Sequence, residues 1–454
     1  MKLTIIGSGY VGLTTGACFA EVGHQVLCVD NDERKVKTLR EGKIPIYEQG
    51  LEPIVAANRA AGRLTFTDNL KDAVAGADVV LIAVGTPTRE GEEGADLSFV
   101  YAAGEEIARA MKGFTVVVTK STVPVGTAAK LREIIARARP DGDFEVASNP
   151  EFMREGSAVE DFIRPDRVVV GVSSERAEKV LSQLYRPLTT RNVPLLVTSC
   201  EAAEVIKYAA NTFLATRIAF VNELADLCER VGADIEYVAR GMGLDKRIGL
   251  QFLSPGPGFG GSCFPKDTRA LAHTARQHGS PFTLVEKVIA SNEARKLALA
   301  DRVQQVVGGD LAGKRIAVLG IAFKAETDDV RDAAALTLIP ELQTRGASVA
   351  AFDPVAMENG RQSFESVQWC ADAYSAAIGA DAVVILTEWN VFRGLDLRRL
   401  ARDMRQPVLV DFRNLFSIAD ATGSGMAYHS IGRASVVPDA AQKADVIPFK
   451  SGKV

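Results

Sequence analysis

The sequence predicts an α/β protein with two parallel-sheet halves joined by a helical middle, and three observations lead there. Short runs rich in Val and Ile alternate with longer helical patterns through residues 1–198. The same alternation returns over 309–435. Between them, 199–308 reads as helical, with a stretch from about Glu201 to Val231 that contains neither Gly nor Pro. These limits define an N-terminal domain (1–198), a central domain (199–308), a C-terminal domain (309–435) and a loose tail (436–454).

In the first half, Leu3–Ile6, Gln25–Val29, Val79–Val84, Thr115–Thr119 and Val168–Val172 are continuous apolar runs between helical segments. Strands of that kind belong to a parallel sheet covered on both faces. The Gly-free stretch makes one long helix of roughly 45 Å at 1.5 Å per residue. A Gly/Pro-rich loop (Ser254–Asp267) follows, then more helix to about Val307. Beyond Gly308-Gly309, strands are expected at 314–320, at Ser348–Phe352 ahead of Asp353, at Asp381–Leu386 and at Val408–Val410. Gly76-Ala77-Asp78 precedes VVLIAV as Gly379-Ala380-Asp381 precedes AVVIL, a weak internal repeat.

At 454 residues the chain is too long for one core. A composition 47% hydrophobic and 24% charged excludes disordered and fibrous classes. Net charge is −4 without a long basic run, which argues against non-specific nucleic-acid binding but leaves room for a local diphosphate site. The opening MKLTIIGSGYVGL has the look of a short signal peptide, yet three glycines within six residues interrupt it and it runs on into strand and helix. No run of about 18 apolar residues is present to span a membrane. Six cysteines without a CxxC pair and four scattered histidines offer neither a zinc site nor a disulfide framework, so no metal and a reducing cytoplasm are expected.

Gly7-x-Gly9-x-x-Gly12 follows a strand and opens a helix. The three glycines provide a tight turn, room for a pyrophosphate and close helix–sheet packing. Asp30 stands at the end of the next strand, eighteen residues past Gly12. A carboxylate there accepts from ribose hydroxyls and repels a 2′-phosphate, which selects NAD over NADP. The glycine pattern alone is weak. With strand, helix, second strand and acid in order it marks a Rossmann-like half. The second half reads Gly320-Ile-Ala-Phe323-Lys324, lacks this spacing, and should bind another phosphate ligand or none.

Cys263 sits in GFGGSCFPKD. Most cytosolic cysteines are small buried hydrophobes, and Cys18, Cys28 and Cys228 fit that description. A loop with Gly256, Gly258, Gly260 and Gly261 is instead suited to bringing backbone N–H groups against a ligand. Lys266, three residues on, is expected to lower the thiol pKa. On the long helix, Lys207 and Asn211 stand four apart and share a face. Position alone favours a solvated pair, but their neighbours in EVIKYAANTFLA are apolar. A lysine there needs a partner, and a developing oxyanion is one. In Ser148-Asn149-Pro150-Glu151-Phe152-Met153-Arg154-Glu155-Gly156, two carboxylates four apart suit either acid–base work or a helix cap.

Together these motifs resemble the UDP-glucose/GDP-mannose dehydrogenase family, through IIGSGYVGL, VGTPT (84–88), KSTVPVGT (120–127), SNPEFMREG (148–156), KYAANTFLATRIAFVNE (207–223), GFGGSCFPKD (258–267) and GIAFKAETDDVRDA (320–333). The resemblance implies oxidation of a sugar-nucleotide C6 alcohol to a carboxylate, with two NAD used in turn. Phe264 favours UDP-glucose as substrate; GDP-mannose, whose enzymes tend to carry Leu there, is the alternative. Ser262 stands where N-acetylhexosaminuronate enzymes typically have histidine. The resemblance makes Cys263 the nucleophile and Lys207 with Asn211 the oxyanion stabilisers. Lys207 or a water on Asp267 is the first base, and Glu151, Asp267 and Thr122 handle the hydrolytic water.

By the same carry-over, NAD touches Gly7, Gly9, Tyr10, Val11, Gly12, Asp30, Lys35, Thr86, Thr122, Glu155, Lys266 and Arg331. The sugar nucleotide touches Glu151, Phe152, Met153, Arg154, Glu155, Lys207, Asn211, Phe252, Ser254, Gly258, Gly260, Phe323, Lys324 and Arg413. Arg247 resembles the arginine that reaches a neighbouring subunit's substrate, and a homodimer through the long helix is implied. A non-catalytic NAD sensor would not need Cys263, Lys207, Asn211 and Asp267 together. A two-electron 3-hydroxyacid dehydrogenase would not need the cysteine loop or the second half.

Overall fold

The computed structural model describes residues 1–89 and 94–437; of the expected tail, 438–454 lie outside the described residues. The first sheet has eight strands in the order β3-β2-β1-β4-β5-β6-β7-β8. They are β1 (Lys2–Ile6), β2 (Gln25–Val29), β3 (Leu64–Thr67), β4 (Val79–Ile82), β5 (Thr115–Thr119), β6 (Phe144–Ser148), β7 (Val168–Gly171) and β8 (Leu195–Thr198). Val79–Ile82 and Thr115–Thr119 are buried along their whole length, as strands covered by helices on both faces should be.

One junction departs from the expected parallel pattern. β6 and β7 run antiparallel and pair only at their tips, Ser148 and Gly171. The segment between them holds one short helix, Ala158–Ile163, too little for the crossover that parallel neighbours require. Its first residues, 149–157, are therefore free to lie along the sheet's edge.

The second sheet is parallel throughout, in the order β11-β10-β9-β12-β13-β14. Its strands are β9 (Arg315–Leu319), β10 (Ser348–Phe352), β11 (Val367–Trp369), β12 (Ala382–Ile385), β13 (Val408–Asp411) and β14 (Ala427–Ser430). In both sheets the first strand lies beside the second and the fourth, so both reverse direction at the same place, where such sheets bind ligands.

Between them runs a 32-residue helix, Cys200–Val231. Its buried residues Cys200, Ala203, Glu204, Lys207, Tyr208, Asn211, Thr212 and Ala215 recur every three or four positions, a single inward stripe. Phe213, Phe220 and Leu227 lie on its exposed side, each more than half exposed. Ser199 caps the start through the Ala202 N–H, and Gly232, in the left-handed region, ends it. Among the described residues no helix is long and apolar enough to cross a membrane.

Candidate active site

Gly7 and Gly12 answer to space. A Cβ on Gly12 would fall 1.8 Å from the Gly7 carbonyl oxygen, and one on Gly7 2.7 Å from that of Ala83. Gly9 faces open space instead. The helix Tyr10–Glu21 begins there with no side-chain cap, so its first N–H groups are left for a ligand. Asp30 accepts from the N–H groups of Ser8 (2.8 Å) and Asp32 (3.1 Å) and from Lys35 (3.0 Å). Burial opposes its ionisation, but these donors outweigh it and hold the carboxyl below its usual range. These residues fit a dinucleotide: a cradle open at Gly9, free N–H groups and an ionised acid at the ribose end. Thr86, from the loop after β4, donates to the carbonyl of Thr122, after β5 (3.0 Å). Val11 turns inward against the core. Tyr10 reaches away, donating to Glu48 and to the carbonyl of Arg154 (3.3 Å). Glu48 also accepts from the N–H groups of Gly156 and Ala158, tying the glycine turn to the segment after β6.

That segment meets the long helix. Lys207 donates to Glu151 at 2.9 Å, with both side chains buried. This is the partner its apolar surroundings demand. The other Glu151 oxygen accepts from the Met153 N–H (2.6 Å). Burial works against the charge on each, yet Glu151 stays below and Lys207 above its ordinary pKa because each favours the other's ionised form. Asn211, one turn along, donates to Asp267 (2.6 Å), which also holds Lys266 (2.6 Å). Phe152 lies under the Arg167 guanidinium (3.8 Å) with Lys207 5.4 Å from its ring centre, and Arg154 pairs with Asp161.

Cys263 is the N-cap of the helix Phe264–Gln277, with Pro265 in its first turn. That end of a helix favours a thiolate. Burial nevertheless dominates and pushes the thiol up to about 11, with Lys207 pulling the other way. The expected role of Lys266 is corrected here. Its ammonium is taken up by Asp267, and the cations acting on the sulfur are Lys207 of the long helix and Arg331. Two of the loop glycines also answer to packing. A Cβ on Gly260 would fall 2.4 Å from the Asp332 carbonyl oxygen and one on Gly261 2.7 Å from the Phe323 ring. They make room for the C-terminal half, and the Gly261 N–H donates to the Arg331 carbonyl (2.8 Å). The N–H groups of Gly256 and Phe259 are held by Asn222 and Asn292, both 2.8 Å away. Gly258, in the left-handed region, lies over Asn292 and Lys296.

The C-terminal half closes the site. Lys324 donates to the Glu155 carbonyl, Thr327 to its carboxylate (3.2 Å), and Arg331 lies 3.6 Å from it while paired to Asp329. Neither Glu155 nor Glu151 caps a helix. Arg413 donates to the carbonyls of Leu386 and Phe323, both at 2.7 Å, beside Gly256. Phe252, at φ 59°, packs near Phe264. Ser254 is exposed, and Arg247, its side chain 89% exposed, pairs with its neighbour Asp245. Sequence reasoning missed Glu48, and it missed Glu204, which accepts from the N–H groups of Gly126 and Ala128 and from Ser148. Glu204 had a signal, since it falls on the stripe that holds Lys207. Glu48, in a loop, had none.

A dinucleotide turn at one sheet, a thiol at a helix start and a second sheet closing over both define a dehydrogenase. The chain matches the UDP-glucose/GDP-mannose dehydrogenase family in three parts: the NAD binding domain over residues 1–189, the central domain over 201–294 and the UDP binding domain over 317–418. It is 55% identical over 435 residues to UDP-glucose 6-dehydrogenase of Rhizobium meliloti (strain 1021), covering 95% of this chain and 100% of that one. It is 47% identical to UDP-glucose 6-dehydrogenase TuaD of Bacillus subtilis (strain 168), over 96% of this chain and 94% of that one. The solved UDP-glucose dehydrogenase of Pyrobaculum islandicum superposes with a TM-score of 0.88 at 39% identity, covering 95% of this chain and 98% of that one. The chain belongs to the UDP-glucose/GDP-mannose dehydrogenase family.

Proposed function

We propose that this protein oxidises the C6 alcohol of UDP-glucose to the carboxylate of UDP-glucuronate, using two NAD per sugar and Cys263 as nucleophile. The observation that carries the reading is the convergence of Lys207, Glu151, Asn211 and Asp267 from three segments on the thiol. NAD, held by the Gly7–Gly12 turn, Asp30 and Lys35, supplies the hydride acceptor in each oxidation. Lys207 is held protonated by Glu151, so it acts as a cation and leaves the C6 hydroxyl proton to a water on Asp267. The Cys263 sulfur then adds to the C6 aldehyde, and Lys207 and Asn211 stabilise the thiohemiacetal oxygen. Loss of the second hydride leaves a thioester on Cys263. Glu151, Asp267 and Thr122 position the water that hydrolyses it.

Phe323, Lys324 and Arg413 would hold the sugar nucleotide from the second sheet. A second copy of the chain would cover Phe213, Phe220 and Leu227, seven residues apart on the long helix. Arg247 would then point away from its own site toward the partner's. A working thiol fits the reducing cytoplasm.

Run to completion, UDP-glucose should yield two NADH per sugar and GDP-mannose little. Cys263→Ser should form no acid while binding NAD within about twofold of wild type. Two NADH from GDP-mannose would reassign the substrate, and one NADH per UDP-glucose would remove the thioester.

A further inference from the structure

Cys263 has a neighbour that the scheme above leaves idle. The Ser262 hydroxyl lies 3.5 Å from the Cys263 sulfur and donates to Glu155 at 2.7 Å. Three carboxylates stand around the thiol and each accepts hydrogen bonds, Glu155 from Ser262 and Thr327. Glu151 is held by Lys207 and the Met153 N–H, and Asp267 by Asn211 and Lys266. Glu155 is the one joined to the sulfur through a hydroxyl.

We propose that Ser262 and Glu155 form a proton path that takes the proton off Cys263, with Ser262 as carrier and Glu155 as acceptor. The inference rests on the reading of Cys263 as nucleophile. In the forward direction the S–H bond breaks and its proton joins the Ser262 oxygen. The Ser262 O–H proton passes to Glu155, which becomes a neutral acid, and the sulfur keeps the electron pair. No electron is gained or lost. When thioester hydrolysis releases the thiolate, the same path returns the proton.

The surroundings suit each role. Burial and the Asp329 carboxylate raise Glu155 above the usual carboxylate range, opposed by Ser262, Arg331 and Thr327. It is therefore a better base than an exposed glutamate. Tyr10 and Lys324 face it as well. The sulfur faces Lys207, Glu151, Asp267 and Arg331, and the ammonium of Lys207 steadies the thiolate once it forms. A protonated thiol is a poor nucleophile until something accepts its proton.

The test measures alkylation of Cys263 by iodoacetamide at pH 7.5, without NAD or sugar, assigned by peptide mass spectrometry. Ser262→Ala should react at least tenfold more slowly than wild type. Ser262→Thr, which keeps a hydroxyl, should stay within about threefold, and Glu155→Gln should be as slow as Ser262→Ala. The kcat of Ser262→Ala should fall at least tenfold, with NAD affinity and thermal unfolding near wild type. Three results would each overturn the path: wild-type alkylation in Ser262→Ala, a slowing that Ser262→Thr shares, or a Glu155→Gln variant that reacts like wild type. Since alkylation needs neither sugar nor cofactor, its failure is distinct from a failure of Cys263→Ser to abolish acid formation.

Discussion

The two sheets start alike and then part. Each first strand ends at a glycine in the left-handed region, Gly7 after β1 and Gly320 after β9. Each second strand ends at an aspartate, Asp30 after β2 and Asp353 after β10. Where the first half continues with Gly9 and Gly12, the second has Ala322 and Ala325. The first half enters its helix at Tyr10, whereas the second waits until Ala334. The intervening loop sends Phe323, Lys324, Thr327 and Arg331 toward the cysteine and toward Glu155.

The aspartates show the same divergence. Asp353 accepts from the N–H groups of Ile321, Ala322, Val355 and Ala356 and from the Trp389 indole. Five donors use up a carboxylate's lone pairs. Asp30 has two backbone donors and Lys35, which leaves capacity for a ribose. One strand layout thus suits a cofactor in one half and pins a loop in the other.

The largest effect should come from Gly12→Ala, whose new methyl meets the Gly7 carbonyl. NAD binding should vanish and stability fall by about 3 kcal/mol, read by NAD titration and chemical unfolding; an alanine tolerated there would erase the distinction between the two turns. Asp353→Asn should come next, costing about 3 kcal/mol as an amide N–H meets backbone N–H groups, with no change in cofactor choice. Asp30→Asn should cost about 1 kcal/mol but improve NADP use relative to NAD about tenfold in steady-state kinetics. Equal stability losses at the two aspartates would mean that Asp30, too, is structural.

The smallest effect concerns pH. Asp30 is held below its ordinary value, so its contribution is present above that value and is lost as pH falls through the depressed one. Glu204 has the opposite sign. Burial raises it from 4.5 to about 7, so its contribution is full below about 4.5 and is lost as pH rises through about 7. Relative to Glu204→Gln, the wild type should lose about 2 °C of thermal midpoint between pH 6 and pH 8. A constant difference would place the Glu204 charge in water.

Local pattern made much of this legible. Gln25–Val29, Thr115–Thr119 and Ser348–Phe352 fall where the apolar runs put them, since strands buried on both faces advertise themselves. Val367–Trp369 and Ala427–Ser430 are edge strands, half-buried or polar, and carried no such run. The partner of Lys207 was predictable as a need but not as Glu151, because the two are 56 residues apart in sequence. The packing partners of the loop glycines were hidden for the same reason. Close approach was legible from their number, but not that Phe323 and Asp332, some sixty to seventy residues further along the chain, approach Gly261 and Gly260.

The Cys200–Val231 helix serves the site with one side and leaves Phe213, Phe220 and Leu227 on the other. Both sides are written in the same short reading frame. One inserted residue would swing everything beyond it by about 100°, turning Lys207 or Asn211 and the outer row out of place together. Length change should therefore accumulate elsewhere as such chains diverge. This segment is free to change its letters but not its count.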